Sequence, residues 1–397
     1  MFKIIHTSDW HLGQTFHQYT REEEFDFFLQ QLYEIVERER PDAVCISGDI
    51  FDSMTPPLSA QRQWSAALER LSDIDRTMHI VAIAGNHDSG SKLEVNAKIF
   101  RENIHVFGRQ PEVFTLKGRD GSDAVICAVP YIPGSFYRNY LESIGHFEEE
   151  EPMRAFFARI AAEGKRVKPA ADSPVILMAH TAVSGADYTG QDQYKFIFND
   201  VEILGDGYDY VALGHIHYPQ TILQGDTNVR YCGAPLAMGF DESYPHSVTV
   251  ATFEGGKTDI EIIQLQEYRQ PVTLFADEPL KAKDVKKFIK EYRAEGKQYL
   301  RLYYLDDGNF NMEHRRQLEA TFADNPAVRL CLILPKRPET SEDESIEKSE
   351  NEIRPDNIAT IDPLDIARRC FAKKMNCEMP DHLLSLLKSV IDEDSEA

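Results

Sequence analysis

Asp9, His11, Asp49, Asn86, His180, His215 and His217 each stand at or just past the end of an apolar, β-branched run. Carboxylate, amide and imidazole donors without a thiolate suit hard or borderline divalent cations. In Asp9-Trp10-His11, residues two apart in an extended segment would project to one side and grip one ion. Gly48 lets the chain turn sharply and presents Asp49 in Gly48-Asp49-Ile50-Phe51-Asp52. Gly85-Asn86-His87-Asp88 follows the apolar Ile80-Val81-Ala82-Ile83-Ala84, and His180 closes Val175-Ile176-Leu177-Met178-Ala179. His215-Ile216-His217 closes Tyr210-Val211-Ala212-Leu213-Gly214, with Ile216 pointing away from two imidazoles that share a side. Singly, each has a plain reading: a capping aspartate beside a surface histidine, turn chemistry, a satisfied core histidine. Jointly they read as a metal site, because no comparable polar group marks the opposite strand ends.

The elements that must carry these loops follow from the hydrophobic pattern. Strands are expected at 3–6, 43–47, 80–84, 124–128, 175–179, 210–213, 229–231, 248–253 and 260–265. Amphipathic helices are expected at 22–39, 60–72, 92–101 and 153–163. In layered α/β folds the carboxyl ends of strands are where sites assemble.

At 397 residues the chain exceeds one ordinary core and predicts a large domain with smaller additions. A hydrophobic content of 42% is that of a globular protein, and no run is apolar enough for a signal peptide or a membrane span. Cys45, Cys127, Cys232, Cys331, Cys370 and Cys377 are scattered without a C-x-x-C, which predicts buried reduced thiols in a cytoplasmic protein. The net charge of -23 argues at first against a nucleic-acid partner. Much of that excess sits in the acidic run 339–352 and the tail 392–396, and metal-holding carboxylates are not free negative charge.

The order Asp-x-His, Gly-Asp-x-x-Asp, Gly-Asn-His-Asp, a strand-ending His and Gly-His-x-His resembles that of calcineurin-like metallophosphoesterases. Closer wording is similar to the SbcD-type nuclease subunits: Thr7 to Gly13, Gly48 to Asp52, Ala84 to Ser89, Gly214 to Gln220, and Tyr231 to Pro235 before Phe240-Asp241-Glu242. The likeness spans the first two thirds of the chain. It implies a four-layer αββα sandwich over 1–268, a small α/β capping, DNA-binding domain over 269–336, an acidic linker at 337–361 and a helix-loop-helix at 362–392 for an ATPase partner. It implies one metal held by Asp9, His11, Asp49 and His217, and a second held by Asp49, Asn86, His180 and His215, with Asp49 bridging. Manganese is favoured by the mixed ligand set, with iron or magnesium as alternatives. His87 falls outside that ligand list and is cast as the residue that steadies the transition state or protonates the leaving 3′ oxygen, with Asp52 as its partner. His6, His17, His79 and His105 are read as structural or surface groups.

The remaining third is read from its own pattern. Strands near 272–275, 298–304 and 328–334 with helices near 281–297 and 312–322 make a small α/β unit. Lys281, Lys283, Lys286, Lys287, Lys290, Arg293 and Lys297 crowd its first helix, which is either a DNA contact or a solvated face. Segments 362–371 and 380–391 are short amphipathic helices that need a docking surface, on a partner or on this chain.

Three functions stay open at this point. The leading one is a manganese nuclease with ATP-dependent double-strand exonuclease and single-strand or hairpin endonuclease activity, serving DNA replication, recombination and repair. The resemblance implies DNA ends and hairpins as substrate, an SbcC-type coiled-coil ATPase as the sole source of ATP dependence, a homodimer, and no membrane. The second is a phosphatase or cyclic-nucleotide phosphodiesterase acting on a small substrate. The third is a module that tethers DNA ends without cleaving them.

Overall fold

Runs as continuously apolar as Ala43–Ser47 and Val175–His180 cannot leave one face in water, and in the computed structural model every residue of both strands is buried. The structure describes residues 1–97, 100–143, 145, 151–189, 191, 200–224, 227–337, 380 and 383. With elements numbered in chain order, and β2 (Thr15–Phe16) and β3 (Tyr19–Thr20) forming a short antiparallel ribbon, strand β1 (Phe2–Thr7) pairs in parallel with β4 (Ala43–Ser47), β4 with β5 (His79–Ile83), and β5 with β6 (Ile104–Phe107). On the other side of β1 lie the antiparallel β13 (Ser247–Glu254) and β14 (Lys257–Gln264), which completes a six-stranded sheet. A second six-stranded sheet has the order β11 (Gln220–Gln224), β12 (Thr227–Tyr231), β10 (Tyr210–Gly214), β9 (Val175–His180), β8 (Asp123–Val129), β7 (Glu112–Lys117). Its four middle strands run parallel.

Helices α1 (Glu22–Glu39) and α2 (Leu58–Ile74) cover the first sheet, where Phe25, Phe28, Leu32, Trp64 and Leu68 meet Ile5, Val44, Ile46 and Ile80. The second sheet is covered by α4 (Gly134–Ser143) and α5 (Pro152–Arg166), through Tyr137, Phe156, Phe157 and Ile160 on Val125, Leu177 and Val211. Alternate residues of the same strands, among them Ile4, Cys45 and Val81 from one sheet and Ile126, Met178 and Tyr210 from the other, fill the space between the sheets. This is the mixed α/β fold the sequence predicts, and α1 keeps its predicted bounds. Helix α3 is described over Gly90–Ala97, opening two residues before its expected start, and residues 98 and 99 lie outside the described residues. Cys45, Cys127 and Cys232 are buried and unpaired, and Cys331 is half-buried.

Residues 270–336 build a three-stranded parallel sheet, β15 (Gln270–Leu274), β16 (Gln298–Leu305) and β17 (Val328–Lys336), with β16 in the middle. Leu300 and Leu302 on one face pack with Val285, Leu318 and Phe322 of α6 (Val285–Glu291) and α7 (Met312–Ala323). Tyr299 and Arg301, pointing the other way, meet Phe16 and Phe240 of the main body. The basic stretch expected as one helix over 281–297 is a 3-10 turn (Ala282–Asp284) followed by the seven-residue α6, so Arg293 and Lys297 lie beyond the helix. The α6 lysines therefore stand on the face of this sheet opposite to the one that meets the body, whereas Lys297 lies over the Tyr268 ring beside α1.

Met1–Lys336 form one compact unit and Arg337–Ala397 a second. The expected linker over 337–361 and helices over 362–392 lie almost wholly outside the described residues. Among the described residues, no helix is long and apolar enough to cross a membrane.

Candidate metal centre

The carboxyl ends of β1, β4 and β5 meet those of β9 and β10 at one place, and the close approach is set by glycine. A Cβ on Gly214 would stand 1.9 Å from the Ser47 carbonyl oxygen and 2.8 Å from His180 Nδ1. A Cβ on Gly48, whose φ is +86°, would stand 2.3 Å from His180 Nδ1. The two sheets thus touch through backbone where larger residues would hold them apart.

At this junction the structure gathers all seven ligand candidates. Asp9, His11 and His217 offer ligand atoms within 4.8 Å of one another, as do Asp49, His180 and His215. Asp49 Oδ2 joins the two groups, at 3.6 Å from His11 Nε2 and 3.3 Å from His180 Nε2. Asn86 Oδ1 lies 2.8 Å from His215 Nδ1 and 3.0 Å from His180 Nε2. The expected reason for the Asp9–His11 pairing is corrected here, because the segment is not extended: Asp9 and His11 have φ of 52° and 48°. Asp49 and His215 are also left-handed, at 47° and 99°, so four of the proposed ligands hold uncommon backbone geometry of the kind that persists where surrounding structure enforces it.

The surrounding bonds fix each donor. His180 donates Nδ1–H to the Ser47 carbonyl (2.9 Å), which turns Nε2 inward. His217 donates Nδ1–H to Glu242 Oε1 (3.0 Å), and Glu242 Oε2 accepts from the Met238 N–H (2.8 Å). Asp9 Oδ1 accepts from the His215 N–H (2.9 Å), and Ser8 Oγ donates to Asp9 Oδ2. Gln191 clamps the histidine pair by accepting from the His217 N–H (2.7 Å) and donating to the His215 carbonyl (3.2 Å). Asp88 ties two ligand loops together by accepting from the N–H groups of Ile50, Phe51 and Gly85 at 2.8–3.0 Å. Sequence reasoning did not single out Glu242, Gln191 or Asp88 for a role. Asp88 and Glu242 sit inside motifs already noted, whereas no spacing signal marks Gln191.

The donor set fits divalent ions. Asp9 and Asp49 are buried, and among the described residues no Lys or Arg pairs with either. Both ring nitrogens of His11 are buried without a hydrogen bond, at 3.4 Å from Asp52 Oδ1 and 3.6 Å from Asp49 Oδ2. Buried carboxylates and orphaned imidazole nitrogens facing one another call for a cation. The titrations agree with an electrostatically loaded pocket. Burial opposes charge on His180, but Asp49 and Asp9 outweigh it and raise its pKa to about 9. Burial, reinforced by the charge on His180, lowers His215 to about 3. Burial and the Asp49 charge raise Asp88 to about 6. Despite burial, the neighbouring histidines hold the Asp49 carboxyl well below the usual carboxylate range.

His87 and Asp52 stand at the rim, grouped with His11. His87 donates Nδ1–H to the main-chain carbonyl of Asp52 (2.8 Å), while the Asp52 carboxylate turns to His11. The partnership is therefore made through the backbone, and it leaves His87 Nε2 as the second, exposed ring nitrogen. His6 is buried against Tyr210, His79 and His105 pair with each other at 3.2 Å, and His17 flanks Phe240.

Residues 2–219 match the family described as calcineurin-like phosphoesterase. The chain is 30% identical over 287 residues to the SbcD component of the SbcCD nuclease of Escherichia coli strain K12, covering 68% of this chain and 69% of that one. It is 34% identical over 277 residues to the component of the same name from Rhodobacter capsulatus (64% and 67% covered) and 32% identical over 264 residues to that of Bacillus subtilis (64% and 67%). The chain belongs to the calcineurin-like phosphoesterase family, with the SbcD nuclease subunits as its kin, and is a metal-dependent phosphodiesterase of the nuclease kind.

Proposed function

We propose that this protein is the nuclease subunit of a DNA-end-processing complex and hydrolyses phosphodiesters with two manganese ions, iron or magnesium being the alternatives. The observation that supports this most is the pair of ligand groups joined through the one carboxylate of Asp49. Asp9, His11, Asp49 and His217 would hold one ion, and Asp49, Asn86, His180 and His215 the other. Bound there, two divalent ions supply a clamp on the phosphate oxygens and an activated water for in-line attack. Glu242 and the Ser47 carbonyl keep His217 and His180 in the tautomers that turn Nε2 inward. Ser8 and the His215 N–H hold the Asp9 carboxylate in place. His87, steadied at Nδ1 by the Asp52 carbonyl, presents Nε2 to donate a proton to the leaving 3′ oxygen.

Residues 269–336 form the capping domain of this reading. DNA ends and hairpins are its substrates, with double-strand exonuclease and single-strand or hairpin endonuclease activity that depends on ATP through an SbcC-type partner. A homodimer is supported by exposed Met54 and Val95, which line one cavity together with Trp64 and Leu93. The discriminating assay offers purified protein and manganese a DNA hairpin, a linear duplex and a phosphate monoester. Cleavage of the hairpin and duplex is expected, and hydrolysis of the monoester alone would replace this reading with that of a small-substrate phosphatase.

A further inference from the structure

Strand β16 grips the loop that orients a proposed metal ligand. That loop, residues 237–242, links β12 to β13 and carries Glu242, the hydrogen-bond partner of His217 Nδ1. From one side, Arg301 of β16 donates Nη2–H to Asp241 Oδ1 (3.0 Å) and lays its guanidinium over the Phe240 ring at 4.9 Å. The same guanidinium is fixed within the cap by Nε–H donation to Thr273 Oγ1 (3.0 Å), so it moves with the cap sheet. From the other side, buried Arg21 donates to the Ala237 carbonyl (2.9 Å) and to Glu24 Oε2 (2.8 Å). Glu24 in turn accepts from the Tyr299 hydroxyl, two residues before Arg301 on the same strand and the same face. Tyr299 stacks on Phe16 with ring centroids 4.2 Å apart, and Phe16 meets Phe240 at 5.1 Å. Neighbouring positions of one cap strand therefore hold both flanks of the loop.

The bonds around the other ligands run elsewhere. His180 is set by Ser47, the His215 main chain by Gln191 and Asp9, and Asn86 bonds to the two histidines themselves. None of these partners belongs to residues 270–336. Among the described residues, the hydrogen bonds that run from the cap thus lead to the His217 group and not directly to the other.

We infer that Arg301 is a positioning residue through which the seating of the cap sets the hold of His217 on its ion, leaving the ion of His180, His215 and Asn86 untouched. This rests on the two-ion reading above. Removing an outer hydrogen-bond partner of a metal ligand weakens metal binding about 10- to 100-fold. Arg301 acts one bond further out, so the lower end, roughly tenfold, is expected. Linkage is reciprocal: if the seated cap tightens that ion, the ion tightens the seating of the cap.

The test is manganese titration of the full chain by calorimetry, with bound ions counted by electron paramagnetic resonance, for wild type, Arg301→Ala and His217→Ala. The expected result is two sites in wild type, loss of one in His217→Ala, and in Arg301→Ala roughly tenfold weaker binding at one site with the other unchanged. If His217→Ala loses an ion while Arg301→Ala binds both as wild type does, the relay is overturned and the two-ion reading survives. Equal weakening at both sites also overturns it, because a loosened fold would act that way. If His217→Ala loses no ion, the underlying reading falls and the relay with it. Should Arg301→Ala fail to fold, Asp241→Asn removes the same ion pair from an exposed side chain and is expected to weaken the same single site by a smaller factor.

Discussion

Gly214→Ala tests how tightly the junction of the two sheets governs the ions. The added Cβ would begin 1.9 Å from the Ser47 carbonyl oxygen, 2.8 Å from His180 Nδ1 and 3.0 Å from Ser8 Cβ, whereas real Cβ atoms essentially never come inside 3.0 Å. The ends of β4 and β10 must therefore part by about 1.1 Å, the difference between 1.9 and 3.0 Å. Neither partner can yield cheaply, since one is main chain and the other is held to Ser47 at 2.9 Å. Ligand distances tolerate only about 0.2 Å, so Asp49 on the first sheet and His180 with His215 on the second would no longer share an ion. A misplacement of about 1 Å costs on the order of 10²-fold in rate, and overpacking costs about 1–3 kcal/mol of stability. The assay pairs manganese titration with hydrolysis of a hairpin and thermal melting. A folded variant is expected, melting a few degrees lower and at least about 10²-fold less active. Wild-type manganese affinity and rate in that variant would refute the argument.

His87→Ala should retain both ions by elemental analysis yet lose about 10²- to 10⁴-fold in cleavage rate; loss of metal would instead make His87 a ligand. Because the proton on His180 persists to about pH 9 before an ion arrives, manganese must displace it, and affinity should rise by up to tenfold per pH unit from about 6.5 toward 9 and then level. In the ion-free protein the same shift stabilises the fold fully below pH 6.5 and is lost as pH passes through about 9, so apo melting should decline over the window in which metal binding improves. A pH-independent affinity, or no proton release in buffers of different ionisation heat, would contradict this. Replacing Lys286, Lys287 and Lys290 with Glu should leave duplex binding unchanged even at low salt, since α6 lies on the sheet face turned away from the body; weakening that grows as salt falls would return that helix to the DNA path.

The strands that lead to the candidate metal centre were legible because each is buried on both faces and so reads as an unbroken apolar run, as at Ala43–Ser47 and Val175–His180. Strand β7 (Glu112–Lys117), at a sheet edge with half its residues in water, gives no such signal, and α4 spans only ten residues, too short for its apolar face to stand out as a helical period. The residues gathered at the candidate metal centre were legible from their place at strand ends, but the backbone that presents them was not. Asp9 and His11 share a side through left-handed φ values enforced by bonds to Gly48 and Asp49 carbonyls, which is tertiary information. Gln191 and Glu242 act on His217 from segments 26 and 25 residues away, too far for any local pattern. The basic stretch at 281–297 was visible as composition, but which face of the cap it covers depends on the alternation of Tyr299, Leu300, Arg301 and Leu302 against partners elsewhere in the fold.

The claim on which all of this stands is that Asp49 lies between two ions. Anomalous diffraction from crystals grown with manganese tests it directly. Two peaks about 3.5–4 Å apart are expected, one beside Asp9, His11 and His217 and one beside Asn86, His180 and His215, with Asp49 touching both. A single peak, or two peaks that Asp49 does not share, would contradict the account.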